Sequence, residues 1–121
     1  MTVQELTKTI VASLDKHKAQ DICVLDVSEV TSLADRFIIA SGGSTTQVKA
    51  RIDYGETDLA LQGGHALRTE GYTTAQWTLL DLGSVVLHVF LNTAREFYDL
   101  ERLWQDATVL DTAEFLEGEQ S

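Results

Sequence analysis

Hydrophobic residues recur every three to four positions from Val3 through Leu6, Ile10 and Leu14, the spacing of one buried helix stripe. Thr2 and Glu5 form a capping-box pattern ahead of that stripe. The pattern predicts a helix to about Lys18, with His17 and the lysines suited to its negative end. The period then changes. DICVLDV, Asp21 to Val27, has no helical repeat and a β-branched centre, which predicts a buried strand. SEVTSLAD carries turn chemistry, and RFIIASG, Arg36 to Gly42, reads as a second strand. After Gly42 and Gly43, Ser44 opens a second helix with Val48 and Ile52 on its stripe and Leu59 further along. Gly55 weakens that helix by roughly 1 kcal/mol relative to Ala, and Gly63-Gly64 ends it.

ALRTEG, QWTLLDLG and VVLHVF then predict three strands, the last two joined as a hairpin around Gly83-Ser84. Thr93 and Glu96 repeat the capping-box spacing, and a helix from Ala94 would bring Phe97, Leu100, Leu103 and Trp104 onto or near one face. Phe97 and Leu103 are expected to pack on the sheet, whereas Tyr98 and Trp104 suit either the core or a contact surface. The amphipathic pattern fades after Ala107. The element order α-β-β-α-β-β-β-α predicts a single-domain α/β sandwich over residues 1–107 with a mixed sheet of about five strands. Residues 108–121 are expected to form an acidic, flexible tail.

Alternation sorts the hairpin into two faces. Trp77, Leu79 and Asp81 share one face, opposite Thr78, Leu80 and Leu82. In the next strand Val86, His88 and Phe90 share a face, opposite the purely aliphatic Val85, Leu87 and Val89. The aliphatic set suits a surface under helices. The Trp77, Leu79, Asp81 and His88 set mixes aromatic, aliphatic and acidic groups, the character of an interface with large anchors and a few polar groups. The alternative is a second covered face, with Asp81 and His88 as a buried pair.

Charge narrows the partners. The chain of 121 residues has a formal charge of −10. Seven acids lie between Asp99 and Ser121 against Arg102 alone. Without a Lys/Arg cluster, direct DNA or RNA binding is not expected, and a basic protein is the better partner. The single cysteine, Cys23, excludes an intrachain disulfide and suits a reducing cytosol. No run of about 18 apolar residues marks a membrane span, and the N-terminus lacks the pattern of a secretory signal.

The candidate chemistry is thin. SGGSTTQ, Ser41 to Gln47, sets glycines and hydroxyls before a helix, as an anion loop does, but lacks a P-loop lysine and a third glycine. A nucleotidyltransferase would need paired acids nearby; Asp53, Glu56 and Asp58 fall on the expected helix, and no Asp-x-Asp occurs. His17, His65, His88 and Cys23 have no metal-ligand spacing. Ser84, His88 and Asp81 have the composition of a triad without a nucleophile elbow. Turn and core roles are expected for these residues, with no cofactor or metal.

DICVLDVSEVTSLADRFIIASGGSTTQVKA, EGYTTAQWTLLDLGSVVLHVF and REFYDLERLW together resemble the ribosomal silencing factor family, also called RsfS or Iojap-like. The resemblance runs from about Leu6 to Ala107. It implies a nucleotidyltransferase-like fold without enzymatic activity. It further implies cytoplasmic binding to the L-fourteen protein of the large (50S) ribosomal subunit, blockade of small-subunit joining, and repression of translation when nutrients are scarce. The family's pattern matches Asp35, Gly42, Ser44, Trp77, Asp81, His88, Tyr98, Glu101, Leu103 and Trp104. Partner contact is accordingly expected at Trp77, Leu79, Asp81, His88, Tyr98, Leu100 and Trp104. Ser84 departs from the pattern, where the family usually has an acid after the glycine. A sheet face awaiting a partner also allows a homodimer.

Overall fold

In a computed structural model that describes residues 1–116, helix α1 (Val3–Lys16) begins on the expected capping box. Glu5 N–H donates to Thr2 Oγ1 at 3.1 Å, and Thr2 N–H donates to Glu5 Oε1 at 2.8 Å. Strands β1 (Gln20–Asp26) and β2 (Arg36–Gly42) pair antiparallel. Helix α2 (Thr45–Leu61) starts at Ser44, whose hydroxyl accepts from Gln47 N–H. Strands β3 (Arg68–Glu70), β4 (Trp77–Asp81) and β5 (Val85–Leu91) follow. The remaining elements are α3 (Asn92–Tyr98), α4 (Leu100–Leu103), β6 (Thr108–Leu110) and α5 (Ala113–Leu116).

The sheet order is β3-β4-β5-β2-β1-β6. Only β2 and β5 run parallel; the other pairs are antiparallel. As expected, β4 and β5 form a hairpin around Gly83-Ser84, in a register that sets Trp77 opposite Phe90 and Leu79 opposite His88. The sheet separates two apolar layers. Leu80, Val85, Leu87, Val89, Ile38 and Val24 pack with Ile10, Leu14, Ile52 and Leu59. On the other side, Leu25, Phe37, Ile39, Val86 and Phe90 pack with Ala94 and Leu100. Gly71 is required by geometry. Its φ is +74°, and a Cβ there would lie 2.2 Å from the Trp77 carbonyl oxygen.

Three expectations are corrected. The sheet has six strands rather than about five, because Thr108–Leu110 adds to the edge of β1 with Leu110 opposite Val24. Nor does the folded unit stop at residue 107: Phe115 on α5 is fully buried in the layer beneath α1. Arg36 places its guanidinium 5.4 Å from the centroid of that ring. A three-residue strand and one aromatic are too short to register as periodicity amid acids. The rest of the expected tail, residues 117–121, lies outside the described residues.

The third correction concerns the helix after β5. It starts at Asn92 directly from the strand with no side-chain cap, so the Thr93–Glu96 capping box does not form. It then breaks at Asp99, which takes a left-handed conformation (φ 45°, ψ 56°). The break resets the helical phase. Phe97 and Leu103, expected against the sheet, instead point outward with 81% and 72% exposure.

Candidate functional site

Helix α3 packs over β5 and β2, leaving Trp77, Leu79 and Asp81 on β4 only half-covered. Trp77 is the centre of this face. Its ring lies 5.0 Å from Phe90 and 4.9 Å from Tyr98, centroid to centroid. Its indole Nε1–H donates to His88 Nδ1 at 3.1 Å. Tyr98, at 47% exposure, stands at the open margin of the cluster. Trp104 is half-buried, edge-on to Phe37 at 5.3 Å.

His88 lies beneath this surface, 4% exposed. Burial lowers its pKa to about 4, so the ring is neutral at physiological pH. Because Nδ1 accepts from Trp77, the ring proton sits on Nε2, which has no hydrogen-bond partner among the described residues. An unpartnered buried donor costs about 1–3 kcal/mol, a cost that leucine would avoid. Histidine supplies an acceptor that fixes the orientation of the Trp77 indole.

Asp81 does not pair with His88. Its Oδ1 accepts from Gly83 N–H at 2.8 Å, closing the hairpin turn. Its Oδ2 lies 3.2 Å from Arg68 Nε, which also contacts Glu70 at 3.1 Å. The outer part of the face is therefore a carboxylate-rich margin with one arginine between two acids. Ser84 contributes its backbone carbonyl, which accepts from the N–H groups of Asp35 and Arg36 at 2.8 and 3.2 Å.

Arg95 anchors the α3–α4 segment to the sheet. Its Nη1 donates to Ser41 Oγ at 2.9 Å and to the Asp21 carbonyl, and its Nη2 pairs with Glu101 at 2.8 Å. This clamp, absent from the expected set, holds both ends of the Asp99 break and so places Tyr98 and Trp104. Arg95 stands in a segment of mixed charge, with Glu96, Asp99, Glu101 and Arg102, which gives little sequence signal for the clamp.

The seven expected contact residues thus divide. Trp77, Leu79, Asp81, Tyr98 and Trp104 have accessible surface in one region. Leu100 and His88, expected at the contact surface, are instead interior, 5% and 4% exposed: the first fills the layer under α4, and the second accepts the Trp77 indole N–H.

The other chemical candidates resolve into local structure. In SGGSTTQ, Gly43 N–H donates to Gln47 Oε1 at 2.7 Å and Gln47 N–H donates to Ser44 Oγ, so two of the segment's donors are used in capping α2. Asp53, Glu56 and Asp58 lie on α2, and Asp53 accepts from the Tyr72 hydroxyl at 2.9 Å. Among the described residues no three His, Cys, Asp or Glu side chains are grouped to hold a metal ion. Burial, with Glu101 nearby, pushes the Cys23 thiol pKa up, partly offset by Arg95. No helix among the described residues is long and apolar enough to cross a membrane.

Charge follows the same division. Helices α1 and α2 balance Lys8, Lys16, Lys49 and Arg51 against Glu5, Asp15, Asp53, Glu56 and Asp58. Most of the −10 therefore lies elsewhere in the chain, including Glu70 and Asp81 on the strands and Glu96, Asp99 and Glu101 on or between α3 and α4.

Fold and face together define a single-domain α/β protein with a mixed sheet and a half-open aromatic and acidic surface. The chain belongs to the ribosomal silencing factor family: the family model described as "Ribosomal silencing factor during starvation" matches residues 1–121. A ribosomal silencing factor RsfS from Chromobacterium violaceum is 40% identical over 104 residues, covering 86% of this chain and 85% of its own. A crystal structure of a protein from the same organism superposes with a TM-score of 0.84 at 40% identity, over 87% of this chain and 88% of the other. A mouse protein named for mitochondrial assembly of the ribosomal large subunit is 35% identical over 98 residues, covering 78% of this chain and 43% of its own length.

Proposed function

We propose that this protein represses translation in the cytoplasm, without a catalytic step, by docking on the L-fourteen protein of the large (50S) ribosomal subunit. Its bulk then occupies the surface where the small subunit would join, which lowers translation when nutrients are limiting. The observation that carries the reading is the Trp77 face, a half-covered aromatic cluster beside Leu79 with the Asp81 and Glu70 carboxylates at its margin. A basic ribosomal protein suits this face, because opposite charge steers and orients docking while the aromatics supply buried area. Membership of the silencing-factor family supports the ribosome as the target.

Steric blockade needs only binding and bulk. An interface of about 1,600 Å² in total is a standard size for a specific complex. A homodimer formed through the same face would compete with docking, so binding is measured at concentrations where the chain is monomeric.

The reading is tested by mixing purified large and small subunits with the protein and resolving the products on a sucrose gradient. Joined ribosomes should decrease as protein is added, and the protein should migrate with the large subunit. Undiminished joining at saturating protein would refute the blockade.

A further inference from the structure

We infer that Phe97 is a second aromatic anchor of the docking surface and inserts into an apolar hollow rimmed by basic groups on the same partner; this rests on the proposed docking of the Trp77 face. Phe97 is the most exposed large hydrophobic side chain among the described residues, at 81%. Its ring stands edge-on to Tyr98 at 5.1 Å, and Tyr98 in turn lies 4.9 Å from Trp77. Those two steps place Phe97 within about 10 Å of Trp77. A contact patch of roughly 800 Å² per partner is about 30 Å across, so a partner centred on Trp77 also reaches Phe97.

The backbone explains why the ring projects. The left-handed turn at Asp99 ends α3 one residue after Tyr98, and Arg95 ties this segment to β1 and β2. Tyr98 leans onto Trp77 and Phe90, while Phe97, one position earlier on the helix, faces away. Glu96 precedes it and Asp99 follows two positions later, and both are exposed. An aromatic between two carboxylates complements an apolar hollow bordered by Lys or Arg, the same charge preference as the Asp81 margin. Aromatic side chains that fill a desolvated pocket on the partner are among the residues whose truncation costs most.

The test is co-sedimentation of the full chain with isolated large subunits, comparing wild type, Phe97→Ala, Phe97→Leu, Trp77→Ala and the control Leu61→Ala. Leu61 is 78% exposed at the end of α2, the helix on the opposite side of the sheet. Phe97→Ala should weaken binding at least tenfold with an unchanged melting temperature, and Phe97→Leu should weaken it less. Leu61→Ala should bind as wild type does. Wild-type binding by Phe97→Ala while Trp77→Ala is impaired would overturn the inference and leave the docking face standing. Equal loss in Phe97→Ala and Leu61→Ala would also overturn it, as a nonspecific effect of apolar surface. Failure of the wild type to bind large subunits would remove both the docking reading and this one.

Discussion

The indole Nε1–H of Trp77 donates to Nδ1 of His88 at 3.1 Å, so a half-covered surface aromatic is held by a buried neutral imidazole. This pair connects the interior of the sheet to the face proposed for docking. Histidine at this position has a measurable consequence for stability. Burial lowers its pKa from 6.5 to about 4. As pH falls from 6.5 toward 4, the unfolded chain takes up a proton at residue 88 that the native state does not. The unfolded state is thereby favoured, by about 3 kcal/mol across the window. Urea unfolding of wild type and His88→Leu at pH 7 and pH 5 should show a larger loss in wild type, by about 2 kcal/mol. Equal losses would mean that His88 titrates normally in the folded protein.

Trp77→Phe keeps a ring against Phe90 and Tyr98 but removes the donor to His88. It should cost about 1–2 kcal/mol, with cooperative unfolding retained. Trp77→Ala should also unfold cooperatively, because Trp77 packs against the core cluster from its partly exposed margin rather than from within it. Loss of a cooperative transition in Trp77→Ala would make this residue a core support and remove the case for a docking anchor.

Phe115 is fully buried although it follows an acidic, irregular stretch. Phe115→Ala should destabilise the protein by about 3–5 kcal/mol. Truncation after Ala107 should cost more, since it also strips β6 from the edge of β1. Denaturant midpoints near wild type for both variants would show that β6 and α5 are dispensable.

Gly55 sits in the buried face of α2, where an added Cβ would meet Ile10, Leu80 and Leu87 at 3.6–3.9 Å. Those are ordinary contact distances. Gly55→Ala should therefore stabilise the protein by about 0.5–1 kcal/mol through lower unfolded-state entropy and better helix propensity. A lower melting temperature would reveal steric strain between α2 and the sheet.

The two faces of the hairpin were legible because period-2 alternation survives in WTLLD and VVLHVF, and Gly83-Ser84 permits only a tight turn. The register was within reach too. With Trp77 opposite Phe90, residue 88 becomes its diagonal neighbour, close enough for long side chains to meet. The α3–α4 segment is not legible in the sequence, because one left-handed residue, Asp99, shifts the phase of everything after it, and aspartate is not a strong marker of that conformation. The burial of Phe115 is hidden for a different reason: it depends on a groove formed by distant elements. Arg95 likewise acts across long sequence separations, reaching Asp21 and Ser41.

Docking through the Trp77 face is measured most directly by calorimetric titration of the isolated L-fourteen protein. Trp77→Ala and Asp81→Asn belong in the same experiment; asparagine can keep the Gly83 turn bond while removing the charge. The expected result is submicromolar binding by wild type, weakened at least tenfold in both folded variants. Absence of wild-type binding at tens of micromolar, or equal affinity in all three proteins, would contradict the claim.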